Sequence, residues 1–103
     1  MSGTTATNED GDVVGVGDPY RQTQQALANV ESALQEAGAS IDDVVRTRLF
    51  VVDMDRWKEI GRAHGELFGD VQPATSMVEV SRLIDPEMLV EIEAVAMVDR
   101  EDQ

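Results

Sequence analysis

The sequence predicts an α/β sandwich (α+β), with two helices covering one face of a β-sheet. Three features carry that expectation. Two stretches repeat apolar residues every three or four positions, and three β-branched stretches alternate between two faces. In chain order they read strand–helix–strand–helix–strand–strand, a pattern that packs as two layers. A chain of 103 residues suffices for one domain and is too short for two, so residues 1–103 are read as a single domain.

Residues 1–17 are polar, with turn material at Asn8-Glu9-Asp10-Gly11, and Asp12-Val13-Val14 reads as a short first strand. The first helix opens at Asp18, an N-cap residue, followed by Pro19, whose missing N–H costs nothing at the first helical position. Tyr20, Thr23, Leu27, Val30, Leu34 and Ala37 form one stripe, and Gly38 ends the helix. Val44 to Val52 reads as a strand with Val45, Thr47, Leu49 and Val51 on one face and Arg46, Arg48, Phe50 and Val52 on the other. A second helix spans about Asp55 to Phe68, with Trp57, Ile60, Leu67 and Phe68 inward and Gly69 closing it. The last two strands are read as Thr75 to Ser81 and Leu89 to Val98, with Asp85-Pro86 in the turn between them. The tail, residues 99–103, is polar.

The strands also imply a partner. Arg46, Arg48, Glu79, Glu91 and Glu93 stand among Phe50, Met77, Val95 and Met97 on the face away from the helices. Such a face is too apolar to leave in water and too charged for the core of one chain. Pairing with further copies, arginines meeting glutamates, satisfies both parts. The bland reading is a solvated face with weak cross-strand ion pairs.

Composition narrows the function. The chain is 42% apolar and 28% charged, as folded proteins are. It holds 21 acidic residues against 8 basic ones and a net charge of −13, which repels phosphate backbones and anionic lipid. Nucleic acid and membrane are therefore not expected partners. No apolar run approaches the ~20 residues that cross a bilayer, and MSGTTATNED lacks the marks of a signal peptide, so the cytoplasm is expected. With no cysteine, disulfides, thiol nucleophiles and thiolate metal sites are excluded. Acid enrichment with a single lysine, Lys58, reads either as adaptation to a salty cytoplasm or as the bias of a G+C-rich genome. Phosphate loops and metal-ligand spacings are absent from the sequence, so neither a metal nor any other cofactor is expected.

Four segments, in order, resemble one family. Ser2-Gly3 is similar to the S-G that ends the second strand of RidA/YjgF proteins, the small enamine/imine deaminases. Gln22-Thr23-Gln24-Gln25-Ala26-Leu27-Ala28-Asn29-Val30 resembles their Q-T-R-Q-A-L-x-N-I helix. Asp43-Val44-Val45-Arg46-Thr47 through Asp53-Met54 resembles D-V-V-K-T-x-V-F-x-x-D-M, and PATSMVEV from Pro73, with VEIEAVA from Val90, resembles P-A-R-S-x-V-E-V and I-E-I-E-A-x-A. The resemblance implies a chorismate-mutase-like fold with a mixed sheet, a homotrimer, and small-molecule clefts between subunits. It implies ligand-binding roles for Ser2, Gly3, Gly61, Thr75 and Met77, and for Glu91 a catalytic role in positioning water or protonating a leaving amine.

The chain departs from the pattern at three points. It begins where the family has already completed a β-hairpin, so either the sequence is shortened there or the sheet is expected to lack that hairpin. Thr75 stands where active members carry the arginine that holds the substrate carboxylate. Met77 and Gly61 stand where Cys and Asn are common. Efficient hydrolysis of simple 2-imino acids is therefore not expected. Arg48 is a candidate substitute anchor, against pairing with Glu79 or Glu93. His64, the only histidine, is read as a packing or cleft-rim residue. Three functions stay open: a metabolite-binding trimer without the standard anchor, a non-catalytic trimeric scaffold, and a deaminase of altered specificity using Glu91.

Overall fold

The computed structural model describes residues 3–98; Ser2 and the tail 99–103 lie outside the described residues. Four strands form one mixed sheet, β1 (Thr4–Thr5), β2 (Val44–Val51), β3 (Ala74–Glu79) and β4 (Val90–Ala96), in the order β1-β4-β2-β3. β4 runs antiparallel to β1 and β2, and β3 runs parallel to β2. Two helices, α1 (Pro19–Glu36) and α2 (Trp57–Phe68), pack side by side on one face. That is the expected architecture.

The local reasons for α1 match the sequence. The Asp18 carboxylate accepts from the Arg21 N–H at 3.1 Å, and Gly38 adopts φ +86° just past the end, where a side chain is strained. Leu27, Val30 and Leu34 meet Leu49, Val51, Val90, Ile92 and Ala94 from the sheet and Ile60 and Phe68 from α2. Ala37, expected on the stripe, is exposed because it lies past the last helical turn. The second helix begins with a 3-10 turn at Met54–Arg56 before α2 proper. Trp57, expected inward, is 51% exposed at the start of α2.

Three further expectations are corrected. The first strand is Thr4–Thr5, and Val13 makes only an isolated bridge to Thr7. The Asn8 carboxamide accepts from the N–H groups of Asp10 and Asp12, which turns the chain before a strand can extend. In β2, pairing with β4 shifts between Val44/Ala96 and Arg46/Val95. This bulge at Val45 inverts the expected alternation there, so Val44 is buried and Val45 is exposed. In β3, Met77 lies level with Leu49 and Glu79 with Val51, both buried partners. Paired residues share a face, so Met77 and Glu79 stand on the helix side; the Glu79 carboxylate accepts from the Met54 N–H at 3.2 Å.

The opposite face is uncovered. It carries Arg46, Arg48 and Phe50 from β2, Glu91, Glu93 and Val95 from β4, and Ser76 and Val78 from β3. Val45, Val78 and Val95 each leave more than two fifths of their surface open. No helix of the described residues is long and apolar enough to cross a membrane.

Candidate functional site

Glu91 sits on β4, on the uncovered face, level with Phe50 of β2 and Thr5 of β1. Its carboxylate lies against the backbone of Gly3, so closely that a Cβ there would fall 2.0 Å from Oε2. Only glycine leaves room for the carboxylate in that position. The sequence singled out both residues, and the fold brings them together.

Thr75 lies elsewhere. It is the second residue of β3, level with Thr47 and on the helix side. Its hydroxyl is 3.0 Å from the Thr47 hydroxyl and 3.0 Å from the Pro73 carbonyl oxygen. Thr47 is fully buried, and its hydroxyl also meets His64 Nε2, on α2, at 2.8 Å. The His64 ring packs on Phe68, with centroids 4.7 Å apart, and burial lowers its pKa below the ordinary 6.5. His64 is thus a neutral, hydrogen-bonded imidazole at pH 7. Gly61 lies one turn earlier on α2, with open space where a Cβ would project. The pairing of His64 with Thr47 was not legible in the sequence, because the hydroxyl and the ring come from positions 17 residues apart.

Thr75 and Glu91 do not face one another within a chain. Two strand spacings, about 10 Å, separate β3 from β4, and three residues, about 10 Å more, separate their levels along β2. They also project from opposite faces. Arg48 shares the uncovered face with Glu91, not the helix side with Thr75. Its Nε is 3.6 Å from the Glu93 carboxylate and makes no hydrogen bond although that atom is buried. A groove of about 1000 Å³ runs beside β1 and α1, lined by Gly3, Thr5, Asn8, Gln25 and Asn29 among others. Neither Thr75 nor Glu91 lines it. No cluster of three or more metal-ligating side chains occurs among the described residues.

The pattern of the family described as Endoribonuclease L-PSP matches residues 1–98. The chain belongs to the RidA/YjgF family. A crystal structure of a YjgF/YER057c/UK114 family member from Mycobacterium tuberculosis superposes with a TM-score of 0.84 at 48% identity, covering 95% of this chain and 76% of that one. A putative endoribonuclease from Thermotoga maritima superposes at 0.89 with 32% identity, covering 97% and 78%. By sequence, the 3-aminoacrylate deaminase RutC of Acinetobacter baylyi is 36% identical over 98 residues, 95% of this chain and 77% of the relative.

In this RidA/YjgF chain the polar letters of the α1 motif serve as clamps. Gln22, fully buried, donates to the Glu87 carbonyl at 2.7 Å and accepts from the Leu89 N–H at 2.8 Å, just before β4. Asn29, two turns on, donates to the carbonyls of Thr5 and Thr7 at 3.0 and 2.8 Å. Together they hold β1 and the start of β4 under α1, and so set Gly3 beside Glu91.

Proposed function

We propose that this chain is a cytoplasmic, Rid-type protein that binds a small metabolite between subunits of a homotrimer, with Glu91 as its acid–base group. The carrying observation is the separation of Thr75 from Glu91. Two positions that family membership points to lie on opposite faces and too far apart for one small ligand, so a shared ligand needs two copies. The uncovered face supports the same reading. Its exposed valines and half-paired Arg48 gain neighbours when copies meet.

The ligand in this reading bears a carbonyl or imine rather than a carboxylate that must be held by charge. Thr75 offers one neutral hydroxyl where a guanidinium would give two charge-assisted bonds. The ribonuclease description of the family is not carried over, because a −13 chain opposes a phosphate backbone.

Two measurements test the proposal. Light scattering across a range of potassium chloride should give three times the 11.3 kDa chain mass; a monomer at every salt concentration would remove the inter-subunit site. Titration of ¹⁵N-labelled protein with pyruvamide should then move the amide signals of both Gly3 and Thr75. A ligand that moved only one of them would break the shared cleft.

A further inference from the structure

The three hydrogen bonds around Thr75 have a fixed direction. A carbonyl oxygen only accepts, so the Thr75 hydroxyl donates its single proton to Pro73 O at 3.0 Å. With that proton engaged, Thr75 Oγ1 can only accept from Thr47, 3.0 Å away. The Thr47 proton is then engaged too, so its contact with His64 Nε2 at 2.8 Å must be donated by the ring. The chain runs one way, from His64 Nε2–H through Thr47 and Thr75 to Pro73 O. Thr47 is fully buried and, among the described residues, has no side-chain hydrogen-bond partner besides Thr75 and His64, so its orientation rests on the ring.

We propose that His64 is a positioning residue that, through Thr47, holds the Thr75 hydroxyl as a lone outward-swinging donor and thereby tunes the site to neutral carbonyl, imine or amide groups. A ligand oxygen or nitrogen with a free lone pair takes the Thr75 proton from Pro73 O, and no other proton in the chain has to move. A carboxylate also gains only one bond from the Thr75 hydroxyl, assisted by its own charge alone, with a neutral imidazole behind it and a −13 protein around it. It therefore loses more in desolvation than it recovers. The inference rests on the inter-subunit site proposed above, and it gives His64 and Thr47 a positioning role that the sequence had not given them.

The first test needs no ligand. Long-range ¹H–¹⁵N spectra of ¹⁵N-histidine-labelled protein at pH 7.5 should show His64, the one ring in the chain, protonated at Nε2 and bare at Nδ1. The Nδ1–H tautomer would overturn the proposal outright. The second test compares pyruvamide with pyruvate, equal in shape and differing in charge. Pyruvamide should move the Thr75 and His64 signals at tenfold lower concentration or less. Thr47→Val, which keeps the shape and removes the hydroxyl, should weaken pyruvamide several-fold, and Thr47→Ser should restore it. Equal affinity for the two probes, or pyruvamide binding indifferent to Thr47→Val, would overturn the proposal while leaving the shared site standing. Failure of both probes to move Gly3 and Thr75 would take the shared site down with it.

Discussion

Replacing Thr75 with arginine should convert this chain toward the standard activity of its family, and the gain can be worked from the site. The wild-type hydroxyl already donates to Pro73 O and accepts from Thr47, so a ligand competes for one bond from an uncharged donor. A guanidinium at the same position supplies two charge-assisted bonds of about 1.5–3 kcal/mol each. Holding the longer side chain costs about 2 kcal/mol of rotamer freedom. The net is about 1–4 kcal/mol, or roughly 5- to 800-fold in favour of a carboxylate-bearing substrate. The buried Thr47 loses its acceptor, which lowers stability by about 1 kcal/mol. The assay follows decay of a 2-imino acid, generated from leucine by an amino-acid oxidase, with wild type and with Thr75→Arg. Wild-type decay as fast as that of the variant would refute the anchor argument. An inert variant with intact mass and melting transition would refute the placement of the substrate carboxylate at Thr75.

Other expectations follow from charge, crowding and burial. Melting temperature should rise between low salt and molar potassium chloride, since screening shortens the reach of carboxylate repulsion to ~3 Å at 1 M; a flat or falling curve removes the salt-adaptation reading. Gly3→Ala, made in the Thr75→Arg background, should push the Glu91 carboxylate aside by about 1.5 Å to reach a normal contact near 3.5 Å. Because a flexible side-chain end yields easily, stability should change by under about 0.5 kcal/mol, while imine decay falls by on the order of 10²-fold; unchanged decay means that Glu91 is not the acting group. His64 has a folded pKa below its unfolded value near 6.5, so below that pH the unfolded chain binds a proton that the folded one refuses. Stability should therefore drop as pH falls through about 6.5, and level off below the folded pKa. His64→Gln should lack that component when melting curves at pH 7.5 and 5.5 are compared, and equal pH slopes for the two proteins would contradict the buried, neutral ring.

The architecture was legible because α1 and β4 each repeat one period cleanly, and because Asp18, Pro19 and Gly38 punctuate α1 by local rules. Local pattern failed where a contact from elsewhere decided the outcome. The bulge at Val45 depends on how β4 aligns with β2, and alternation alone cannot show an extra residue. The side on which Met77 and Glu79 stand depends on the parallel register between β2 and β3, which no residue of β3 declares. Gly3 and Glu91 were each readable as site residues through family resemblance, but their contact was not. The hydroxyl–imidazole chain was not, since Thr47 looks like any strand threonine until α2 lays His64 across it.

The two carboxamides on the inner side of α1 also say which letters the chain can accept. Gln22 must give a proton to Glu87 O and receive one from Leu89 N, two opposite demands on one buried group. Glutamate answers the second and not the first, lysine and arginine answer the first and not the second, and asparagine is one methylene short of either. Leucine fills the volume but strands both backbone groups. In a saturation library read out by folding, position 22 should therefore be as intolerant as the leucines around it, and for the opposite reason. Its intolerance comes from an amide's two-sidedness, so a chain screened only for hydrophobic volume would lose it first.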